Sequence, residues 1–259
     1  MKHPLWWGPW QVLLAMALLF SVSGPVFAQT DEIQVYDATI ARAGIFNLTW
    51  HNNYTPSGGT RPDFPGAIVP QHSLNGVTEW AYGVANWMEA GLYLPLYSIT
   101  ADGAVRVNGF KLRALFVRPH AADQVFFYGI NFELSYNAPH WDLHRYSSEI
   151  RPIVGWHLGR VDFIFNPILD NDYEGLGRLD FAPATRLAWH ASKNWAVAAE
   201  EYDEFGHVQH FEAAGAQSHQ LYAVLDYYGT VAVEAGLGFG LTRATDHRVA
   251  KLIVSWDLN

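Results

Sequence analysis

Apolar and polar side chains alternate along most of this chain, in segments of roughly ten residues separated by turn-rich stretches. Between Trp87 and Tyr97, Met88, Ala90, Leu92, Leu94 and Leu96 take one set of alternate positions, and Glu89, Gly91 and Tyr93 take the other. A period of two puts successive side chains on opposite faces of an extended strand, which no helix reproduces. The same pattern predicts strands over 43–53, 78–84, 87–97, 108–118, 124–136, 146–157, 160–168, 180–190, 195–202, 218–228, 231–240 and 248–257. Connections after the even-numbered strands are short, and those after the odd-numbered ones are mostly longer. That asymmetry predicts an all-β fold: a transmembrane, antiparallel, up-and-down barrel of about twelve strands, with short turns and both chain ends on one side.

The first 28 residues do not fit this pattern. Lys2 is followed by an apolar run, Val12 to Phe20, and by Val26-Phe27-Ala28, which together read as a cleavable secretory signal. The run is shorter than the ~20 residues a spanning helix needs. The expected division is therefore a signal peptide over 1–28 and a barrel over 29–259, with the bacterial outer membrane as its location. Composition agrees. Half the residues are hydrophobic, yet mean hydropathy is only -0.02, because the apolar residues are dispersed rather than blocked. Aromatics make up 15%, with 11 Trp, which suits the girdles at a membrane interface.

Charged side chains recur at the positions that would face the lumen. They are Lys111 and Arg113, Glu133, Glu149 and Arg151, Asp162, Arg186 and Glu200, with Glu89, Asp226, Glu234 and Lys251 continuing the ladder. Facing lipid at the bilayer centre, such a group would cost roughly 2–4 kcal/mol if basic, and somewhat less if acidic. Opposite charges on neighbouring strands could pair and fill a narrow interior, or line a water-filled pore and set its field. Barrels of about eight strands are filled by side chains and those of sixteen or more hold a channel, so twelve lies between. The segment 29–42 and the loop 54–77 are each long enough to fold inward as a partial plug.

Other chemistry is thinly represented. With no cysteine, disulfides, thiolate metal sites and cysteine nucleophiles are excluded. The net charge of -9 argues against nucleic-acid binding. The twelve histidines are mostly scattered. His140 with His144, or His207 and His210 beside Asp203 and Glu204, would be at most weak surface metal sites, so no metal or other cofactor is expected. The run Asp170 to Gly175 opens like a calcium loop, but Phe181 stands where a bidentate Glu is needed, and a solvated acidic loop is expected instead. The adjacent pairs His72-Ser73 and Ser218-His219 would point to opposite faces of a strand, so no catalytic set is predicted.

Three hairpins carry a family likeness: EWAYGVANWMEAGLYLPL (Glu79 to Leu96), LAWHASKNWAVAAEEY (Leu187 to Tyr202) and GLGFGLTRATDHRVAKLIVS (Gly236 to Ser255). They resemble the meta-pathway phenol-degradation family of bacterial outer-membrane proteins. The resemblance implies a barrel of about twelve strands that takes part in the passage of small, often hydrophobic compounds, and it supplies no catalytic residues. The chain departs from the common barrel ending, since its last residue is Asn259 rather than an aromatic. The expected function is a narrow channel for small solutes, monomeric and surrounded by outer-membrane lipid. The alternatives are a closed structural or surface-interaction barrel and, third, an outer-membrane enzyme.

Overall fold

The computed structural model describes residues 32–259, so the expected signal peptide lies outside the described residues. The fold is one antiparallel sheet closed on itself. Its strands are β1 (Phe46–Ser57), β2 (Leu74–Ala85), β3 (Met88–Ile99), β4 (Val105–Val117), β5 (Phe126–Asn137), β6 (Tyr146–Leu158) and β7 (Val161–Asn166), then the short β8 (Leu169–Asn171) and β9 (Asp180–Phe181), and finally β10 (Ala184–His190), β11 (Trp195–Glu204), β12 (Ser218–Tyr227), β13 (Val231–Gly240) and β14 (Arg248–Asp257). β1 pairs with β14 and β5 with β6, which closes a ring of twelve long strands. β8 and β9 prolong β7 and β10 above the ring. Pro167 and Pro183, which have no N–H to donate, mark the two breaks.

Most strands run 10 to 13 residues. At a rise of ~3.3 Å and a tilt of ~40° this spans the ~25 Å apolar band of a membrane barrel. Trp50, Leu112, Phe132, Leu187 and Leu252 are among the large apolar side chains exposed on the outer surface. At the short-turn rim, aromatic pairs run around the barrel: Phe46 with Tyr82, Trp87 with Phe116, Phe126 with Trp156, and Trp195 with Tyr227. Rings at this height form the interfacial girdle anticipated from the Trp content.

The structure corrects several details. β1 and β2 extend four residues further toward the outer loop than expected, leaving 58–73 as the connection. The turns fall at Asn86-Trp87 and Gly159-Arg160. The expected strand 160–168 stops at Asn166, and Asp170 and Asn171 belong to β8 rather than to a solvated loop. Leu96 does not share the lipid-facing row of Leu92 and Leu94. The β3–β4 register slips between Tyr93 and Tyr97, and Leu96 turns inward to pack, fully buried, with Val77 and Tyr93. One extra residue in a strand reverses the face of everything beyond it, and Pro95, lacking a donor, sits where the ladder is interrupted.

Candidate functional site

The inward charges do not form a ring. They sort into two clusters on opposite walls. On the β2–β6 wall, Arg113 bridges Glu79 and Glu89, so its partners are on β2 and β3 rather than Glu133 directly across on β5. Lys111 reaches Glu133 at 3.7 Å. Arg151 forks onto Glu149 of its own strand, with Nε and Nη2 at 2.7 and 2.9 Å from the two carboxylate oxygens. On the β10–β14 wall, Arg186 binds Glu200, Asp226 and Glu234, while Lys251 binds Glu200 and Glu234. The side chains of Glu200 and Lys251 are completely buried. A charge removed from water this thoroughly is tolerable only with opposite charges and donors in contact. Asp162 joins neither cluster. At the short-turn mouth its two oxygens are bound by His157 and His190 at 2.8 and 2.7 Å.

Between the two walls runs the chain itself. Residues 32–42 form an extended strap through the lumen, from the outer half at Ile33 to the short-turn rim at Arg42. Lys251 Nζ donates to the Ile33 carbonyl at 3.1 Å, and Arg151 Nη1 to that of Gln34 at 3.1 Å. Asn166 grips the Tyr36 backbone on both sides, accepting its N–H at 2.7 Å and donating to its carbonyl at 3.0 Å. The Tyr36 hydroxyl lies 2.6 Å from that of Tyr93 and donates to Glu133 at 3.3 Å, while the Arg151 guanidinium stacks 4.3 Å from its ring. Val35, Tyr36 and Ala38 pack into an apolar cluster with Leu115, Phe127, Ile153 and Ile164. Lower down, Ala41 N–H donates to Glu89 at 2.5 Å.

The wall is shaped for these contacts. A Cβ on Gly83 would stand 2.2 Å from the Arg42 carbonyl, so only glycine lets the strap pass there. A Cβ on Gly155 would meet the Phe127 ring at 2.1 Å, and that ring supports the apolar patch under Ala38. Of the two segments long enough to fold inward, the strap is the one that crosses the lumen. The 58–73 loop instead helps to wall a polar cavity of about 420 Å³ at the outer end, whose floor is Ile33.

The histidine expectations are partly corrected. His207 pairs with Asp180 at 2.9 Å, not with Asp203. Asp203 binds His219 at 2.5 Å, and with Glu201 these form a three-residue group of metal-ligand type at the outer end of β11 and β12. His140 bonds Asn108, while His144 sits among Asp142, Asp172 and Glu174. Burial and the nearby Asp142 charge hold the Asp172 carboxyl above its usual range. Ser218 hydrogen-bonds Thr245 rather than its neighbour His219.

Sequence reasoning missed Glu79, His51, whose Nε2 lies 3.3 Å from the Glu79 carboxylate, and the contact of Tyr36 with Tyr93. Glu79 stood next to the expected start of strand two, and its inward parity follows once that strand is extended to Leu74. Alternation puts Tyr93 in the inward row of Glu89 but says nothing of its contact with Tyr36, which lies in a segment without alternation.

No known family profile matches the chain, and no curated protein matches it in sequence. Among solved structures it is similar to an outer membrane channel from Pseudomonas putida F1, at 12% identity and a TM-score of 0.58, over 88% of this chain and all of that one. It is also similar to the KdgM porin, at 10% identity and a TM-score of 0.52, over 82% of this chain and 99% of that one. The chain therefore has the fold of an outer-membrane β-barrel.

Proposed function

We propose that this protein is an outer-membrane channel for small solutes, working as a monomer, with the strap 32–42 as its resting plug. The observation that carries this reading is the kind of matter filling the lumen. The middle of the barrel is occupied by a length of chain, held by hydrogen bonds and an apolar cluster, rather than by bulky side chains of the wall alone. Withdrawing the strap would leave a polar passage lined by the two charge clusters, between the Asp162 mouth and the outer cavity. The likeness of three hairpins to the meta-pathway phenol-degradation family supports small and often hydrophobic compounds as cargo, and the channel and porin neighbours support the general class. The reading is non-enzymatic, since Ser218 and His219 are each engaged elsewhere.

A second reading, a closed barrel that only presents its outer loops to partners, is favoured by the thoroughness of the ion pairing. Planar-bilayer recording on the refolded mature chain separates the two. Discrete conductance steps that grow when Tyr36 is replaced by Ala support the plugged channel. A folded barrel that stays silent with Tyr36→Ala supports the closed one.

A further inference from the structure

The outer cavity lies apart from the charge clusters and meets the strap only at Ile33, and its lining is unlike theirs. Three carboxylates border it: Asp63 from the β1–β2 loop, Asp246 from the β13–β14 loop and Glu204 from the end of β11. Among the described residues none of the three forms an ion pair within 4 Å. Asp246 accepts the Gly59 N–H at 2.8 Å, and the neighbouring His247 partly offsets its charge. Asp63 Oδ2 is shielded from water and has no hydrogen-bond partner among the described residues. An acceptor left in that state is unfavourable until a donor reaches it. The two basic side chains at this cavity, Arg243 and His247, are exposed at its rim. Ile33, Pro70 and Val249 supply an apolar surface beside the acids.

We infer that this cavity binds a small organic cation, with its ammonium group at Asp63 and Asp246 and its hydrocarbon portion on Ile33, Pro70 and Val249. Several features select that class. At about 420 Å³ the space is far larger than a bare metal ion and within the ~300–1,000 Å³ range of small-molecule pockets. An ammonium donates up to three hydrogen bonds and so satisfies the orphaned Asp63 oxygen, which an anion or a hydrocarbon cannot do. Like charge on Asp63 and Asp246, with Glu204 close by, sets up a field that a single positive charge relieves. This inference rests on the channel reading in one respect: the cavity is the outer antechamber of the proposed passage.

The test is calorimetric titration of the refolded mature chain with n-butylammonium chloride, n-butanol and calcium chloride at pH 7.5, its folding checked by heat-sensitive gel mobility. Butylammonium is expected to bind and butanol not. Asp63→Asn, which breaks no hydrogen bond in the structure, is expected to weaken binding about tenfold, the loss of one charge-assisted contact. Asp102→Asn, which removes the same charge in the exposed β3–β4 turn, is expected to leave it unchanged. Equal binding of butanol, unaltered affinity in Asp63→Asn, no binding of butylammonium, or displacement of butylammonium by stoichiometric calcium would each overturn the assignment. Binding by a barrel that passes no current would remove the channel reading and leave the site; current without binding would do the reverse.

Discussion

The hydroxyls of Tyr36 and Tyr93 meet at 2.6 Å in the centre of the lumen, one from the strap and one from the wall. Their sequence separation is 57 residues, and each ring is also within reach of the Arg113 guanidinium, at 5.5 and 5.8 Å. This pair is the point where plug and barrel share hydrogen bonds, charge and ring contact at once.

Replacing Tyr36 by Phe deletes the bonds to Tyr93 and Glu133 but keeps the ring over Arg151. The expected loss is about 1–2 kcal/mol of strap docking. It should appear as more frequent opening in bilayer recordings, with the amplitude of each step unchanged. An unchanged opening frequency would show that the latch lies elsewhere along the strap.

Lys251→Met leaves Glu200 and Glu234 with Arg186 as their one cationic partner among the described residues and removes the donor to Ile33. Breaking a buried ion cluster on one side costs about 3–5 kcal/mol. The double variant Lys251→Met/Glu200→Gln should recover part of that loss, because the uncompensated charge is gone. Urea midpoints measured in detergent or lipid check the comparison, and strict additivity of the two substitutions would refute the coupling.

Leu96→Ala should destabilise the barrel by about 2–4 kcal/mol, the cost of emptying a buried leucine site. Leu94→Ala, two residues earlier on the lipid surface, should cost less. Equal losses would mean that the strand keeps its alternation through Pro95 and that the register slip is absent.

Burial and the Asp246 charge push the Asp63 carboxyl up to about 6, against ~3.9 for an unconstrained aspartate. The folded protein therefore holds this proton more tightly than the unfolded chain. Stability from this group is present at low pH and is lost as pH rises from about 4 through about 6. With the group only partly buried, the change amounts to roughly 1–2 kcal/mol after screening. Proteolytic cleavage within the 58–73 loop should accelerate over that window, and Asp63→Asn should flatten the dependence.

The barrel itself was legible because strand alternation is a local property. Each of the twelve long strands announces its inward and outward rows within about ten residues, and the contrast between short and long connections orders them. What alternation could not supply is any relation between distant rows. Arg113 and Glu133 sit on adjacent strands with the right parity, yet Arg113 turns back to Glu79 and Glu89 because the strap and the tyrosines occupy the space ahead of it. Leu96 reads as lipid-facing until a single irregularity reverses it. The strap has no periodic signature at all, since its residues are chosen by contacts to both walls and to Asn166 of β7. The outer cavity is assembled from loop residues whose meeting depends on how the barrel closes, so Asp63 and Asp246, 183 positions apart, gave no joint signal.

The hydrogen bond from Lys251 to Ile33 spans 218 residues, nearly the whole of the described chain. Contacts of such long range are slow to form, because almost all of the intervening chain must be ordered before they bring any gain. Lys251 lies on the last strand, so the upper end of the strap has no complete anchorage until β14 has joined β1. The plug should consequently dock after the barrel closes. A kinetic species that is already heat-resistant on a gel but conducts more steadily is expected to precede the fully folded protein, whose plug allows only discrete openings.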